Sequence, residues 1–289
     1  VTWHAVRVWP TDDRRAAVLE TLVAFGSTGV QDEGSSLLTY MPYDIDIIAL
    51  RARLGDARVD ITDFDDRAWE TQWRGTVVAH TVGAITVSPP WLASGDGLQV
   101  VIDPGMAFGT GEHATTRGVL HLMQAIIRPG DVVADLGAGS AVLGIAAAAL
   151  GATRVAAIEM DAEAIGNAEE NVARNDVGDR VRVIHGDAAL LLPLLAPVRV
   201  VLANIISSVL IELLPAIGAA LSADGAAVLS GILTVERDDM LTVLGSGGWR
   251  VTDEIAEGEW WSVAVRAPAP GSQSRVPSPD SRFPVHESR

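Results

Sequence analysis

The 289-residue chain contains no cysteine and no lysine. The first absence excludes disulfides and thiolate metal sites. The second bars a lysine Schiff base and a lysine nucleophile. It also removes the P-loop lysine, so no Gly-rich segment of this chain is a Walker A site. Long unbroken apolar runs are missing as well. The most apolar stretch, AVLGIAAAALGATRVAAI at 141–158, is interrupted by Gly144, Gly151 and Arg154. It reads as a buried helix and strand, not a membrane span. A charged segment followed by an apolar core is absent from the first residues, so no signal peptide is expected. A cytoplasmic protein without a membrane partner is the default expectation. Positive charge is scarce, and the formal net charge is −16. Such a field repels nucleic acid and draws in basic partners, or serves solubility alone.

What is present can fill one core or two. In residues 1–64, WHAVRVW (3–9), SLLTYM (36–41) and RVDITDF (58–64) read as strands. DDRRAAVLETLVAFG (12–26) reads as a helix with Asp12 as N-cap and Gly26 as stop. IDIIALRARLG (45–55) reads as a second helix ended by Gly55. This is a small α+β module. Residues 65–97 are Trp-rich and short-stranded and read as a linker, in which Trp69, Trp73 and Trp91 either pack on a neighbour or belong to a core.

Residues 98–267 alternate strand and helix. The strands are QVVI (99–102), DVVADL (131–136), RVAAIEM (154–160), RVRVIHG (180–186), VRVVLANI (198–205) and AAVLSGI (226–232). The helices start near Thr115, Ala141, Ala162, Asp187, Ser207 and Thr234. This is the pattern of an α/β fold with a parallel sheet covered on both faces. WRVTDEIAEGEWWSVAVRA (249–267) reads as two strands joined at AEGE, so the last strand is antiparallel to its neighbour. Residues 268–289 are rich in Pro and Ser and are expected to be disordered.

Two Gly-rich segments follow one another, IDPGMAFGTGEHATT (102–116) and DLGAGSAVLG (135–144). In the second, a strand leads into Gly137 and Gly139 and then a helix. Backbone N–H groups and a helix N-terminus thereby face a ligand. Glu159 ends the next strand, 22 residues after Gly137. A carboxylate there is the usual partner of ribose hydroxyls, which points to an adenosine-type ligand. Val142 occupies the third glycine position of a dinucleotide fingerprint, against NAD or FAD. Asp135, two residues before Gly137, makes D-x-G-x-G, which matches the S-adenosylmethionine loop. The bland alternative is a tight turn without a ligand. Asn204 ends VRVVLANI at the carboxyl edge of the sheet, where open α/β folds bind ligands. Its amide could accept from an amine and hold a cofactor, or simply close the strand. Asp187 could bond an adenine amino group or cap the helix behind it.

DPGMAFGTGEHATT, VVADLGAGSAVLGIAAAALGATRVAAIEMDAEAIGNAEENVARNDV, VVLANIISSVLIELLP and VLSGIL together resemble the PrmA-type methyltransferases of large-subunit ribosomal protein L11. The resemblance runs in order across 98–267 and more weakly upstream. FGTG-x-H-x-TT is its most specific segment. It implies a Rossmann-like seven-stranded catalytic domain and a small ferredoxin-like N-terminal domain that docks the substrate protein. It further implies S-adenosyl-L-methionine as cofactor, with Thr116, Gly137, Glu159 and Asn204 at its site, beside Asp135, Gly139 and Asp187 from the loop reading. Ala141, Ala114 and Glu159 stand where the family usually has Gly, Pro and Asp. No metal is implied.

The implied reaction is transfer of a methyl group to lysine or N-terminal amines of a basic ribosomal protein. Asn204 is the expected catalytic residue. His113 and His185 are base candidates by type alone. The first Gly-rich segment then reads as a lid, with Phe108, Gly109, Thr110 and Gly111 bordering the substrate channel. A monomer without direct nucleic-acid binding is expected. Two alternatives stay open. One is a methyltransferase acting on another protein, a small molecule or a nucleic-acid base. Base-modifying enzymes often carry Asn-Pro-Pro-aromatic where this chain has Asn204-Ile205-Ile206-Ser207. The other is a non-catalytic adenosine-ligand binding protein, which methyl incorporation would distinguish.

Overall fold

Alternating apolar residues in the first sixty positions set one face of a sheet against two helices. The computed structural model describes residues 2–27, 30–42, 44–65, 78–93, 97–103 and 111–267. It divides into two compact units, Val1–Val77 and Val78–Arg289.

The first unit runs β1 (Thr2–Trp9), α1 (Arg15–Ala24), β2 (Val30–Asp32), β3 (Leu37–Pro42), α2 (Ile47–Leu54) and β4 (Arg58–Asp65). Its strand order is β2-β3-β1-β4, with every neighbour antiparallel. This is the split βαββαβ, ferredoxin-like arrangement. Period two turns Val6, Val8, Leu37 and Met41 inward, against Val18 and Leu22 of α1 and Leu50 and Leu54 of α2. α1 starts at Arg15, after a 3-10 turn at Asp12–Arg14, so Asp12 does not occupy its N-cap position. Gly26, at φ +95°, turns the chain out of α1, as Gly55 at φ +67° does after α2. The three-residue strand β2 was not anticipated, because VQD is too short to show a period.

The second unit corrects two expectations. Residues 78–97 do not all bridge two domains: β5 (His80–Val82) and β6 (Ile85–Ser88) pair with β7 (Leu98–Val101) in a sheet of their own. Ile85 and Val87 are fully buried in the core of this unit, so AITVS is an inward-facing strand. Trp91 sits in a short 3-10 turn at Pro90–Leu92, and Trp69 and Trp73 lie outside the described residues. QVVI, expected to open the large sheet, is β7 and pairs in parallel with β6.

The large sheet comprises β8 (Val132–Leu136), β9 (Arg154–Glu159), β10 (Val181–His185), β11 (Val198–Asn204), β12 (Leu221–Leu233), β13 (Arg250–Glu257) and β14 (Trp260–Arg266). Its order is β10-β9-β8-β11-β12-β14-β13. The first five are parallel, and β14 lies antiparallel between β12 and β13. This is a Rossmann-like sheet of seven strands with an antiparallel last strand. α3 (Ala114–Met123), α4 (Val142–Ala149) and α5 (Ala162–Arg174) bury their apolar sides in one core, with Val133 and Leu202. α6 (Ala188–Leu195), α7 (Ser207–Ala220) and α8 (Arg237–Ser246) pack into a second core with Ala134, Leu136 and Val201. Alternate residues of the same strands thus feed opposite faces. No helix among the described residues is long and apolar enough to cross a membrane. Residues 268–289 lie outside the described residues.

α3 lies flush on the antiparallel part of the sheet. A Cβ added at Gly118 would come within 2.9 Å of Ser262 Cβ on β14. Gly118→Ala is therefore expected to lower stability by about 1–3 kcal/mol despite its better helix propensity. Urea denaturation measures it, and an unchanged or raised midpoint would contradict the close packing.

Candidate functional site

β8 and β11 are neighbours in the sheet, yet the helices that follow them pack on opposite faces. That is the switch point at which parallel sheets open a crevice beyond their carboxyl ends. A cleft of about 650 Å³ lies there, which is in the size range of small-molecule sites.

Thr116, Gly137, Gly139, Glu159, Asp187 and Asn204 all line this cleft. The loop after β8 is built for close approach. Gly137 has φ +64°, and a Cβ there would stand 2.5 Å from Ile205 Cγ2. Ala141, at φ +64° and ψ +18°, is the fully buried N-cap residue of α4. Glycine adopts this left-handed geometry without the steric cost that the Ala141 Cβ brings.

Glu159 closes β9, and its carboxylate is engaged by the backbone. Oε2 accepts from Gly139 N–H at 2.8 Å, and Oε1 accepts from Met160 and Asp161 N–H, each at 2.8 Å. A carboxylate offers about four lone-pair sites, so acceptor capacity remains on this cleft-lining side chain. Asp187 caps α6 by accepting from Ala189 N–H at 2.8 Å while also lining the cleft. Both readings of Asp187 are thus compatible with one geometry. Asn204 ends β11 half-buried, and its Nδ2 donates to Thr116 Oγ1 at 3.3 Å. Thr116 is fully buried at the start of α3. That turn is tied down from below: Ser230 Oγ donates to the Thr115 carbonyl at 3.1 Å and lies 2.7 Å from Ser262 Oγ.

Other expected residues lie elsewhere. Asp135 is fully buried beneath the loop and is absent from the cleft lining. Period two on β8 turns it to the face of Val133, where Oδ2 accepts from Gly144 N–H of α4 at 2.8 Å. Its Oδ1 has no partner among the described residues. Gly111, at φ +83°, packs on β6, where a Cβ would be 2.8 Å from Val87 Cγ1, and it does not line the cleft. Phe108, Gly109 and Thr110 lie outside the described residues. His113 N-caps α3, with Nδ1 2.7 Å from the Thr115 hydroxyl and its ring edge-on to Trp260 at 5.0 Å. His185 Nε2 lies 3.1 Å from the Met160 carbonyl. Neither histidine lines the cleft.

Sequence reasoning passed over Met160, Ile206, Val209 and Glu212, which also line it. Met160 directly follows the end of β9 and Ile206 lies two residues past the end of β11, and that position was the available signal. Val209 and Glu212 share a face of α7 at i, i+3, which nothing in SSVLIELL marks as ligand-facing.

Burial raises the Asp135 carboxyl from 3.8 to about 7; the Gly144 N–H opposes this and the nearby Glu159 charge adds to it. A folded-state pKa above the unfolded value favours folding while the group is protonated. That contribution is complete below about pH 4 and is lost as pH rises through about 7. Asp135→Asn removes the titration. Relative to the parent chain, its stability should climb between pH 5 and pH 7 and level off above pH 8, read from urea midpoints. A pH-independent difference would refute this.

The model of the ribosomal protein L11 methyltransferase (PrmA) family matches residues 35–268. A ribosomal protein L11 methyltransferase of Heliobacterium modesticaldum is 36% identical over 210 residues, covering 71% of this chain and 66% of that one. That of Chloroflexus aurantiacus is 33% identical over 269 residues, covering 80% and 82%. The crystal structure of the ribosomal protein L11 methylase from Lactobacillus delbrueckii subsp. bulgaricus superposes with TM-score 0.60 at 28% identity, covering 66% of this chain and all of that one. By the family model and these relatives, the chain belongs to the ribosomal protein L11 methyltransferase family.

Proposed function

We propose that the chain is an S-adenosyl-L-methionine-dependent methyltransferase that methylates lysine or N-terminal amines of ribosomal protein L11. The observation that carries the reading is the cleft at the β8–β11 switch point, where Thr116 orients the Asn204 amide beside the Gly137–Gly139 loop. The residues present fit the cofactor. The positive-φ turns at Gly137 and Gly139 line the cleft without a side chain, Glu159 would accept from ribose hydroxyls, and Asp187 would accept from an adenine amino group. When bound, S-adenosyl-L-methionine supplies an electrophilic methyl group on sulfur.

The chain's own residues then hold the acceptor. With Nδ2 donated to Thr116, Asn204 keeps its carbonyl oxygen as an acceptor for amine hydrogens. An amine attacks only when neutral, and a free lysine has a pKa of about 10.4. Desolvation in the largely apolar cleft favours the neutral form. No histidine among the described residues lines the cleft, so orientation and exclusion of water carry the rate. On this reading residues 78–267 hold the catalytic domain and residues 1–64 recognise the substrate protein. The acidic chain draws a basic ribosomal protein into encounter.

Incubation with methyl-labelled cofactor and unmethylated large-subunit ribosomal proteins should label L11. Label on a different protein would overturn the substrate, and no label with tight cofactor binding would favour a binding protein. Asn204→Ala should lower turnover by roughly a hundredfold while the cofactor Kd changes by about threefold at most. Unchanged turnover would remove Asn204 from the mechanism.

A further inference from the structure

The turn that carries Asn204 into α7 is not held by its own helix cap. Its N-cap residue is Ile206, which makes no side-chain cap bond. The first helical hydroxyl, Ser207 Oγ, points outward instead and donates to Glu236 Oε1 at 2.8 Å. The other oxygen of the same carboxylate, Oε2, accepts from Leu233 N–H at 2.9 Å. Leu233 is the last residue of β12, the strand that pairs with β11 and sets Ser230 opposite Asn204. One carboxylate therefore ties the two turns that leave the sheet side by side. The tie is half-buried, and its charge sits at the positive end of α7. Below it, Ile205 N–H donates to the Ser230 carbonyl at 3.1 Å. Gly231, at φ +84°, leaves room for the Ile205 carbonyl, into which a Cβ would run.

We propose that Glu236 is a positioning residue for methyl transfer, fixing through Ser207 the turn that presents Asn204. The proposal rests on the reading of Asn204 as the residue that orients the amine. Thr116 sets the far end of the Asn204 amide, and Glu236 sets the backbone from which the amide springs. Glu236 touches neither cofactor nor amine on this account. Its loss leaves the cofactor loop after β8 intact and misaims the acceptor side.

The test measures methyl transfer to unmethylated ribosomal protein L11, cofactor affinity by calorimetry with S-adenosylhomocysteine, and thermal midpoint. Glu236→Ala should lower kcat roughly tenfold or more, with KM for the cofactor and its Kd within about twofold. Ser207→Ala removes a single hydroxyl and should give the same loss, and the double variant should be no worse than either single one. Glu236→Gln should restore most of the rate, because its amide oxygen can accept from Leu233 N–H and its NH₂ can donate to the Ser207 hydroxyl. Unchanged kcat in Glu236→Ala, additive losses in the pair, or equal losses for Gln and Ala would overturn the proposal. If Asn204→Ala keeps full kcat, the reading of Asn204 fails instead. A collapse in Asn204→Ala with none in Glu236→Ala sinks only the tie.

Discussion

Two strands lying side by side, β8 and β11, send their chains to opposite faces of one sheet, and the two exits meet at Gly137 and Ile205. The crowding there admits no side chain on the first exit. The separation beyond it makes the cleft. Apart from Thr116 on α3, the cleft residues inherit their positions from that divergence: the loop of Gly137 and Gly139 on one side, the turn after Asn204 on the other, and the ends of β9 and β10 completing the wall.

Polar groups around the cleft serve the backbone first. Glu159 binds three N–H groups, Asp187 caps α6, and Asp135 accepts from α4 out of reach of solvent. Such prior commitments hold side chains in one orientation, which lowers the cost of organising them around a ligand. The hydroxyl chain of Ser262, Ser230 and Thr115 does the same for α3, and the Arg117 guanidinium holds Glu257 on β13 below the usual carboxylate range.

The strand and helix order of the large sheet was legible because its strands carry short apolar runs of Val, Ala, Ile and Leu, separated by helical stretches with turn residues at their ends. The loop residues were legible for a related reason: a glycine turn and a strand-end carboxylate are read from spacing alone. Asp135 was misplaced because spacing names a position along the strand, whereas which face it points to depends on the pleat. β5 and β6 were taken for linker because three- and four-residue strands show little period until a partner, here β7, is known. Glu212 and Val209 reach the cleft only through the packing of α7 against α6, which no local pattern encodes.

The insertion of β14 between β12 and β13 has a consequence for the order of assembly. β13 has no place in the sheet until the strand made after it has been threaded inward. α3, made near the start of the second unit, rests on that same strand through Gly118 and Ser262. Its first turn carries Thr116. These pairings span nearly the whole unit, the kind of long-range contact that forms late and slowly. A chain still emerging from the ribosome thus has its glycine loop before it has the strand on which α3, and with it Thr116, comes to rest.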